Sequence, residues 1–222
     1  MPMRINKYVA SATGLSRRAA DRAIGEGRVA INGKPVELGD SVADNDSVTL
    51  DGRPIAPAIK SRTIMLNKPP GYVCSRNGQG SQTIYDLLPA EYHALKPVGR
   101  LDKNSSGLIL LTDDGDLANQ LTHPRYAKTK VYEIKLDNVL EPLHQQMIND
   151  HGIQLDDGRS QLSLMKLSDT GKDWQVTMQE GRNRQIRRTL EALGYAVSKL
   201  RRTNFGSYQL EELTEGDYRS CI

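Results

Sequence analysis

Two cysteines, Cys74 and Cys221, are all that 222 residues contain. They are too few and too far apart to suggest a disulfide framework, and neither belongs to a paired metal spacing. His93, His123, His144 and His151 form no ligand spacing either, so no metal site is expected. No apolar run approaches the roughly 18 residues that cross a bilayer, which excludes a helical membrane protein. The opening Met1-Pro2-Met3-Arg4-Ile5-Asn6-Lys7 lacks the apolar block of a secretory signal, and the cytoplasm is the expected location. An excess of one charge is missing too: the net value is +3, which by itself points to no partner.

What is present is a soluble, globular composition, 37% hydrophobic and 26% charged, long enough for a small module joined to a larger domain. The charge is unevenly placed. Residues 1–34 hold Arg4, Lys7, Arg17, Arg18, Arg22, Arg28 and Lys34 against only Asp21 and Glu26, whereas residues 63–222 balance 20 basic with 20 acidic side chains. A positive field concentrated at the front suits a module that meets a polyanionic backbone.

Ile5, Tyr8, Val9 and Ala12 recur at helical spacing before Gly14, and Ser16 can cap a second helix whose apolar side is Ala19, Ala20, Ala23 and Ile24. Val29-Ala30-Ile31, Asn32-Gly33 and Lys34-Pro35-Val36 read as a hairpin. A strand at residues 47–50 turns at Asp51-Gly52, and the prolines of residues 53–58 suggest a linker. The expected domains are therefore 1–60, including that linker, and 61–222. In the second, strand signals at residues 63–67, 107–112, 131–136 and 173–178 alternate with helical faces. Those faces are marked by Leu117 and Leu121, by Leu143 and Met147, and by Ile186, Leu190 and Leu193. This interleaving predicts a mixed α+β domain.

Gly78-Gln79-Gly80 has Thr83 where a dinucleotide fingerprint needs its third glycine, and no glycine-rich cofactor loop follows a strand. Asp113-Asp114-Gly115-Asp116 lacks the spacing of a calcium loop and reads as an acidic turn opening the Leu117 helix. Arg184, Arg187 and Arg188 fall opposite the Ile186, Leu190, Leu193 stripe. With Arg182, Lys199, Arg201 and Arg202 they give residues 181–204 seven basic side chains against one acid, Glu191. By charge alone, a solvated helix face and a nucleic-acid patch are equally good readings. Asp102, in a glycine-bounded loop from Gly99 to Gly107, reads by itself more readily as a turn aspartate than as a functional group.

Five ordered motifs change that weighting. They are Lys68-Pro69-Pro70-Gly71, Gly99-Arg100-Leu101-Asp102, residues 106–112, Lys130-Val131-Tyr132 and residues 180–188. Together they resemble the bacterial ribosomal RNA pseudouridine synthases of the RsuA branch, and residues 3 to about 50 resemble the S-four RNA-binding domain. The resemblance covers essentially the whole chain and implies a mostly antiparallel mixed sheet with flanking helices and a central cleft. It implies isomerisation of uridine to pseudouridine in ribosomal RNA without a metal or redox cofactor, large-subunit RNA being slightly favoured. Asp102 matches the indispensable carboxylate, either nucleophile at C1′ or base at C2′. Arg187 matches its partner arginine, a cation that would favour the ionised form. Tyr132 matches the tyrosine that stacks on the extruded base, Leu200 an apolar pocket residue, and Arg100 an arginine near the flipped nucleotide.

Arg184 and Arg188 are expected to bind substrate beside them, and Arg4, Lys7, Arg17, Arg18, Arg22 and Lys34 to meet RNA from the front module. Ser105 and Ser106 replace a threonine-containing pair common in such proteins, a change that keeps the hydroxyls. The expected partner is ribosomal RNA or a pre-ribosomal particle, with no membrane, no obligate protein partner and a monomeric state. An RNA-binding ribosome-assembly factor with secondary or lost catalysis is the alternative. The trio Asp102, Tyr132 and Arg187 argues against it, because binding alone does not call for them.

Overall fold

The computed structural model describes residues 2–57 and 61–221, and its contacts separate Met1–Arg62 from Thr63–Ile222. In the first unit, β1 (Met3–Arg4) leads into α1 (Ile5–Thr13), which stops at Gly14 with φ 76°. The Ser16 hydroxyl then accepts from the Ala19 N–H at 3.1 Å and opens α2 (Arg17–Gly25). Strands β2 (Val29–Ile31) and β3 (Lys34–Pro35) form the expected hairpin through Asn32 and Gly33, at φ 50° and 79°. β4 (Ser41–Val42) pairs with β1, and β5 (Val48–Leu50) turns at Asp51 and Gly52 into β6 (Arg53–Ile55). Both helices bury Ile5, Val9, Ala20, Ala23 and Ile24 with Val29, Val36, Val42 and Val48.

Strand β6 corrects the linker expected over residues 53–58. Pro54 stands opposite Thr49 on the outermost strand of the order β3-β2-β5-β6, and a sheet edge is where a proline is tolerated. Ala58, and the boundary expected near residue 60, lie outside the described residues.

The second unit runs β7 (Thr63–Lys68), β8 (Lys96–Pro97), β9 (Ser106–Thr112), α3 (Gly115–Thr122), β10 (Lys130–Leu136), α4 (Pro142–Gln146), β11 (Ile153–Leu155), β12 (Gly158–Ser160), β13 (Ser163–Lys166), β14 (Asp173–Met178), α5 (Gln185–Glu191), β15 (Val197–Phe205), β16 (Tyr208–Gln209) and β17 (Tyr218–Ser220). Its main sheet has the order β13-β14-β10-β15-β9-β7-β17, antiparallel except where β15 meets β9. Every residue of β7 and β9 is buried. The reason is that both faces of these strands are covered: Ile64, Leu66, Ile109 and Leu111 join one apolar cluster, Met65, Leu108 and Leu110 the other. A run apolar at every position is what a doubly covered strand requires.

The parallel junction is short, pairing only Arg201 with Ser106 and Arg202 with Gly107. A methyl group on Gly107, at φ 100°, would stand 2.2 Å from the Arg202 carbonyl oxygen, so only glycine lets these two strands touch. Asp114 caps α3 by accepting from the Asp116 and Leu117 N–H groups, as the acidic turn suggested. The helical face expected from Leu143 and Met147 does not form. Leu143 is exposed, α4 ends at Gln146, and the following π-helical turn Met147–His151 buries Ile148 instead. Among the described residues, no helix is long and apolar enough to cross a membrane.

Candidate active site

Asp102 lies on the loop that joins β8 to β9, and the loop is fastened from beneath. Lys68, buried completely, donates its ammonium to the carbonyls of Pro69, Lys103 and Ser105 at 2.9, 3.3 and 2.6 Å. Gly71 N–H reaches the Lys103 carbonyl at 2.8 Å, and the thiol of Cys74 lies 3.4 Å from both the N–H and the carbonyl of Leu101. Three acceptors use all three ammonium protons, so the lysine is spent on loop geometry. Burial lowers its pKa, and burial likewise raises that of Cys74. The carboxylate so presented faces a cleft of about 520 Å³, within the range of small-ligand sites.

Strands β10 and β15 build the cleft's floor. Tyr132 on β10 is buried and stands in register with Val176 on β14 and Arg202 on β15; Leu200, two residues before Arg202 on β15, pairs with Ile134. Both line the cleft, as do Arg100, Asp102, Arg184, Arg187 and Arg202. Arg202 is 3% exposed, donates from Nε to the Leu108 carbonyl at 2.8 Å, and lies 4.7 Å from the centre of the Phe205 ring. Lys130, 5.4 Å from the centre of the same ring, repeats the device of Lys68: its ammonium serves the carbonyls of Lys128, Gln179 and Glu180 at 3.1–3.2 Å. Burial, then Arg202, lowers its pKa. Lys130 thereby fastens the end of β14, from which the arginine segment departs.

That segment does not present three arginines on one face. Arg184 has the left-handed backbone, φ 46° and ψ 31°, and its guanidinium stands 3.7 Å from the Asp102 carboxylate. Arg187 donates to the carbonyls of Val197 at 2.6 Å and Asn104 at 3.4 Å, so it holds the Asp102 loop by its backbone. Burial first, then Arg184, lowers the Arg187 pKa against the opposing pull of Asp102. The direct ion pair with Asp102 therefore falls to Arg184, while Arg187 supplies charge from beside it. Arg188 turns away from the cleft, donating to the Asn183 carbonyl at 2.9 Å and to Asp157 at 2.7 Å. Asp157 receives Arg182 at 2.7 Å as well, and Arg188 foremost holds its carboxyl below the usual range.

Lys68 and Lys130 lie inside motifs, yet their spacing gives neither a task. The Asp156-Asp157 turn does carry a local signal, with Ile153 and Leu155 alternating before it and Gly158 after it. Strand β15 is hidden from spacing. Register shifts near Val131 and Lys135 break the two-residue alternation there, and Lys199, Arg201 and Arg202 disguise the remainder as a basic patch. In the first unit Arg4, Arg17, Arg18, Arg22 and Lys34 are exposed, and Lys7 is half-buried. Among the described residues, no group of three or more His, Cys, Asp or Glu side chains is placed to hold a metal ion.

Comparison with known proteins identifies both units. The family model described as RNA pseudouridylate synthase matches residues 62–192, and that of the S4 domain matches residues 3–55. The chain is 39% identical over 216 residues to a protein of Pseudomonas aeruginosa named ribosomal large subunit pseudouridine synthase B, covering 92% of this chain but 55% of that relative. A protein of Bacillus subtilis with the same name is 36% identical over 223 residues, covering 97% of this chain and 91% of its own length. A crystal structure of a pseudouridylate synthase superposes with a TM-score of 0.69 at 31% identity, covering 99% and 96% of the two chains. The chain thus belongs to the RNA pseudouridylate synthase family and carries an S4 domain ahead of the synthase fold.

Proposed function

We propose that this protein converts a uridine of large-subunit ribosomal RNA, free or in a pre-ribosomal particle, into pseudouridine in the cytoplasm. The observation that carries the reading is the Asp102 carboxylate, fixed on a fastened loop in a cleft floored by Tyr132 and Leu200 with Arg184 at 3.7 Å. The names of the relatives supply the large subunit. Residues 1–60 act as the RNA-binding domain and 61–222 as the catalytic domain.

The reaction breaks the bond between uracil N1 and ribose C1′ and joins C5 to the same carbon. N1 gains a proton and C5 loses one, so atoms and electrons balance within the nucleotide. Reaching C1′ requires the uridine to leave its stack, and an extruded base fits against the Tyr132 ring with Leu200 on the apolar side. Asp102 then serves as nucleophile at C1′ or as base at C2′; both routes use the ionised carboxylate, and Arg184 stands 3.7 Å from it. Arg100, exposed at the rim, meets the RNA strand beside the flipped nucleotide. Arg4, Lys7, Arg17, Arg18, Arg22 and Lys34 engage phosphates from the front domain. Arg188, directed at Asp157, takes no part in substrate contact in this reading.

Release of tritium from C5-labelled uridine in large-subunit ribosomal RNA tests the proposal. Asp102→Asn is expected to lower the rate by at least about a thousandfold while RNA binding stays within about threefold, since the loss is confined to the chemical step. Full turnover by the variant would remove Asp102 from this role.

A further inference from the structure

The arginine segment has an awkward backbone. Arg184 holds a left-handed conformation that a non-glycine residue adopts only when its surroundings impose it. The residues that flank it show how it is imposed. Arg182 before it and Arg188 after it grip the two oxygens of one carboxylate, Asp157, each at 2.7 Å. Arg182 also reads the tip of the β11–β12 hairpin, donating to the carbonyls of Asp157, Gly158 and Arg159 at 3.0, 3.0 and 2.8 Å.

Behind these ion pairs lies a buried ring of hydrogen bonds. Gln185 Nε2 donates to Ser160 Oγ at 3.1 Å, and Thr189 Oγ1 donates to the Gln185 carbonyl at 2.8 Å. Because the single Thr189 hydroxyl proton is committed, the 2.7 Å contact between Ser160 and Thr189 has Ser160 as donor. Gln185 Oε1 meanwhile accepts from the Arg182 N–H at 3.1 Å. Every polar group of the ring is thus used, which ties the first turn of α5 to one side of the hairpin.

Asp157, Gly158 and Arg159 are not among the residues lining the cleft, whereas Arg182, which grips them, is. We infer that the β11–β12 hairpin is a clamp for the catalytic arginines, with Asp157 as the positioning residue that sets Arg184 and Arg187 against the Asp102 loop. This inference rests on the isomerase reading given above. Ile153 and Leu155 anchor the hairpin in the main apolar cluster, so the clamp can be opened without removing its support.

The test is single-turnover tritium release with excess enzyme on C5-labelled large-subunit ribosomal RNA, comparing the wild type with Asp157→Asn and Arg188→Gln. Displacement of catalytic groups by about an ångström is expected to cost 10- to 100-fold in the rate constant, with the half-saturating enzyme concentration within about threefold. A partly misfolded preparation raises the apparent half-saturating enzyme concentration and leaves the rate constant at saturation unchanged, which separates positioning from folding. If Asp157→Asn fails to fold, Arg188→Gln alone decides, because it releases one arginine and leaves the other paired. A rate constant at saturation within twofold of wild type overturns the clamp, whether or not half-saturation rises. A wild type that releases no tritium overturns the substrate reading instead.

Discussion

The exposed cations of the front unit and the buried cations of the synthase unit are the same residue types in opposite surroundings. Around α1, α2 and the first hairpin, Arg4, Arg17, Arg18, Arg22 and Lys34 stand exposed over a core of small apolar side chains. In the synthase unit Lys68 and Arg202 are buried, and Lys130, Arg182 and Arg187 are half-buried, their donors directed at backbone carbonyls. An exposed cation acts through its charge and its effect fades with salt. A buried one acts through the direction of its N–H bonds, because a carbonyl it deserts inside the protein has no water to replace it. The first kind holds a polyanion anywhere along a surface; the second fixes loops within fractions of an ångström.

The sharpest break in that comparison is Lys68→Met, which keeps the stem and removes the ammonium. Three carbonyls lose the ammonium beneath the Asp102 loop, of which Lys103 keeps the Gly71 N–H. Leaving buried acceptors unpaired is expected to cost about 3 kcal/mol. In a unit of this size that lowers the melting temperature by about 6–12 °C. Turnover should fall with it, since Lys103 and Ser105 flank the loop that carries Asp102. An unchanged thermal transition would show that the ammonium does not hold the loop.

Arg17→Ala combined with Arg18→Ala sharpens the same contrast from the other side. Both side chains are exposed at the start of α2, where the cap is made by Ser16 and does not involve them. The melting temperature is expected to stay within about a degree, surface substitutions of this kind being nearly neutral. RNA affinity should drop, and the slope of log affinity against log salt should shrink by about 1.4 if each arginine meets one phosphate of a single strand. Titrations at several salt concentrations give that slope. An unaltered slope would move the RNA surface elsewhere on the unit.

This division of labour explains what the sequence makes legible and what it hides. The front helices, the Asn32-Gly33 turn, the Ser16 cap and strands β7, β9, β10 and β14 follow from local chemistry, so spacing reveals them. Asp102, Tyr132, Leu200, Arg100, Arg184 and Arg187 do line one cleft, but only the family resemblance singles out the first four, charge alone having marked the last two. What spacing hides is where a long cation points. Arg184, Arg187 and Arg188 are near neighbours in sequence, yet one faces Asp102, one a loop carbonyl and one the Asp157 hairpin. Each direction is decided by an acceptor far away in sequence, and helical periodicity carries no information about it. Pro54 misleads for a similar reason, since only the sheet order tells that β6 is an edge.

Arg28 lies between the two classes and gives the smallest effect. It belongs to the basic front unit and is exposed, but Asp51 receives it through two oxygens at 2.7 Å, and Glu26 adds a contact at 3.1 Å. The pair with Asp51, foremost, raises the Arg28 pKa above its ordinary value and lowers that of Asp51. A guanidinium already shared by two carboxylates adds little net charge to the surface that a phosphate meets. Arg28→Ala is therefore expected to leave RNA affinity within about twofold and the salt slope unchanged, unlike its exposed neighbours on α2. A loss equal to that of the Arg17 and Arg18 pair would mean that RNA displaces the carboxylates, and that the front unit's cations are recruited by charge count and not by freedom from partners.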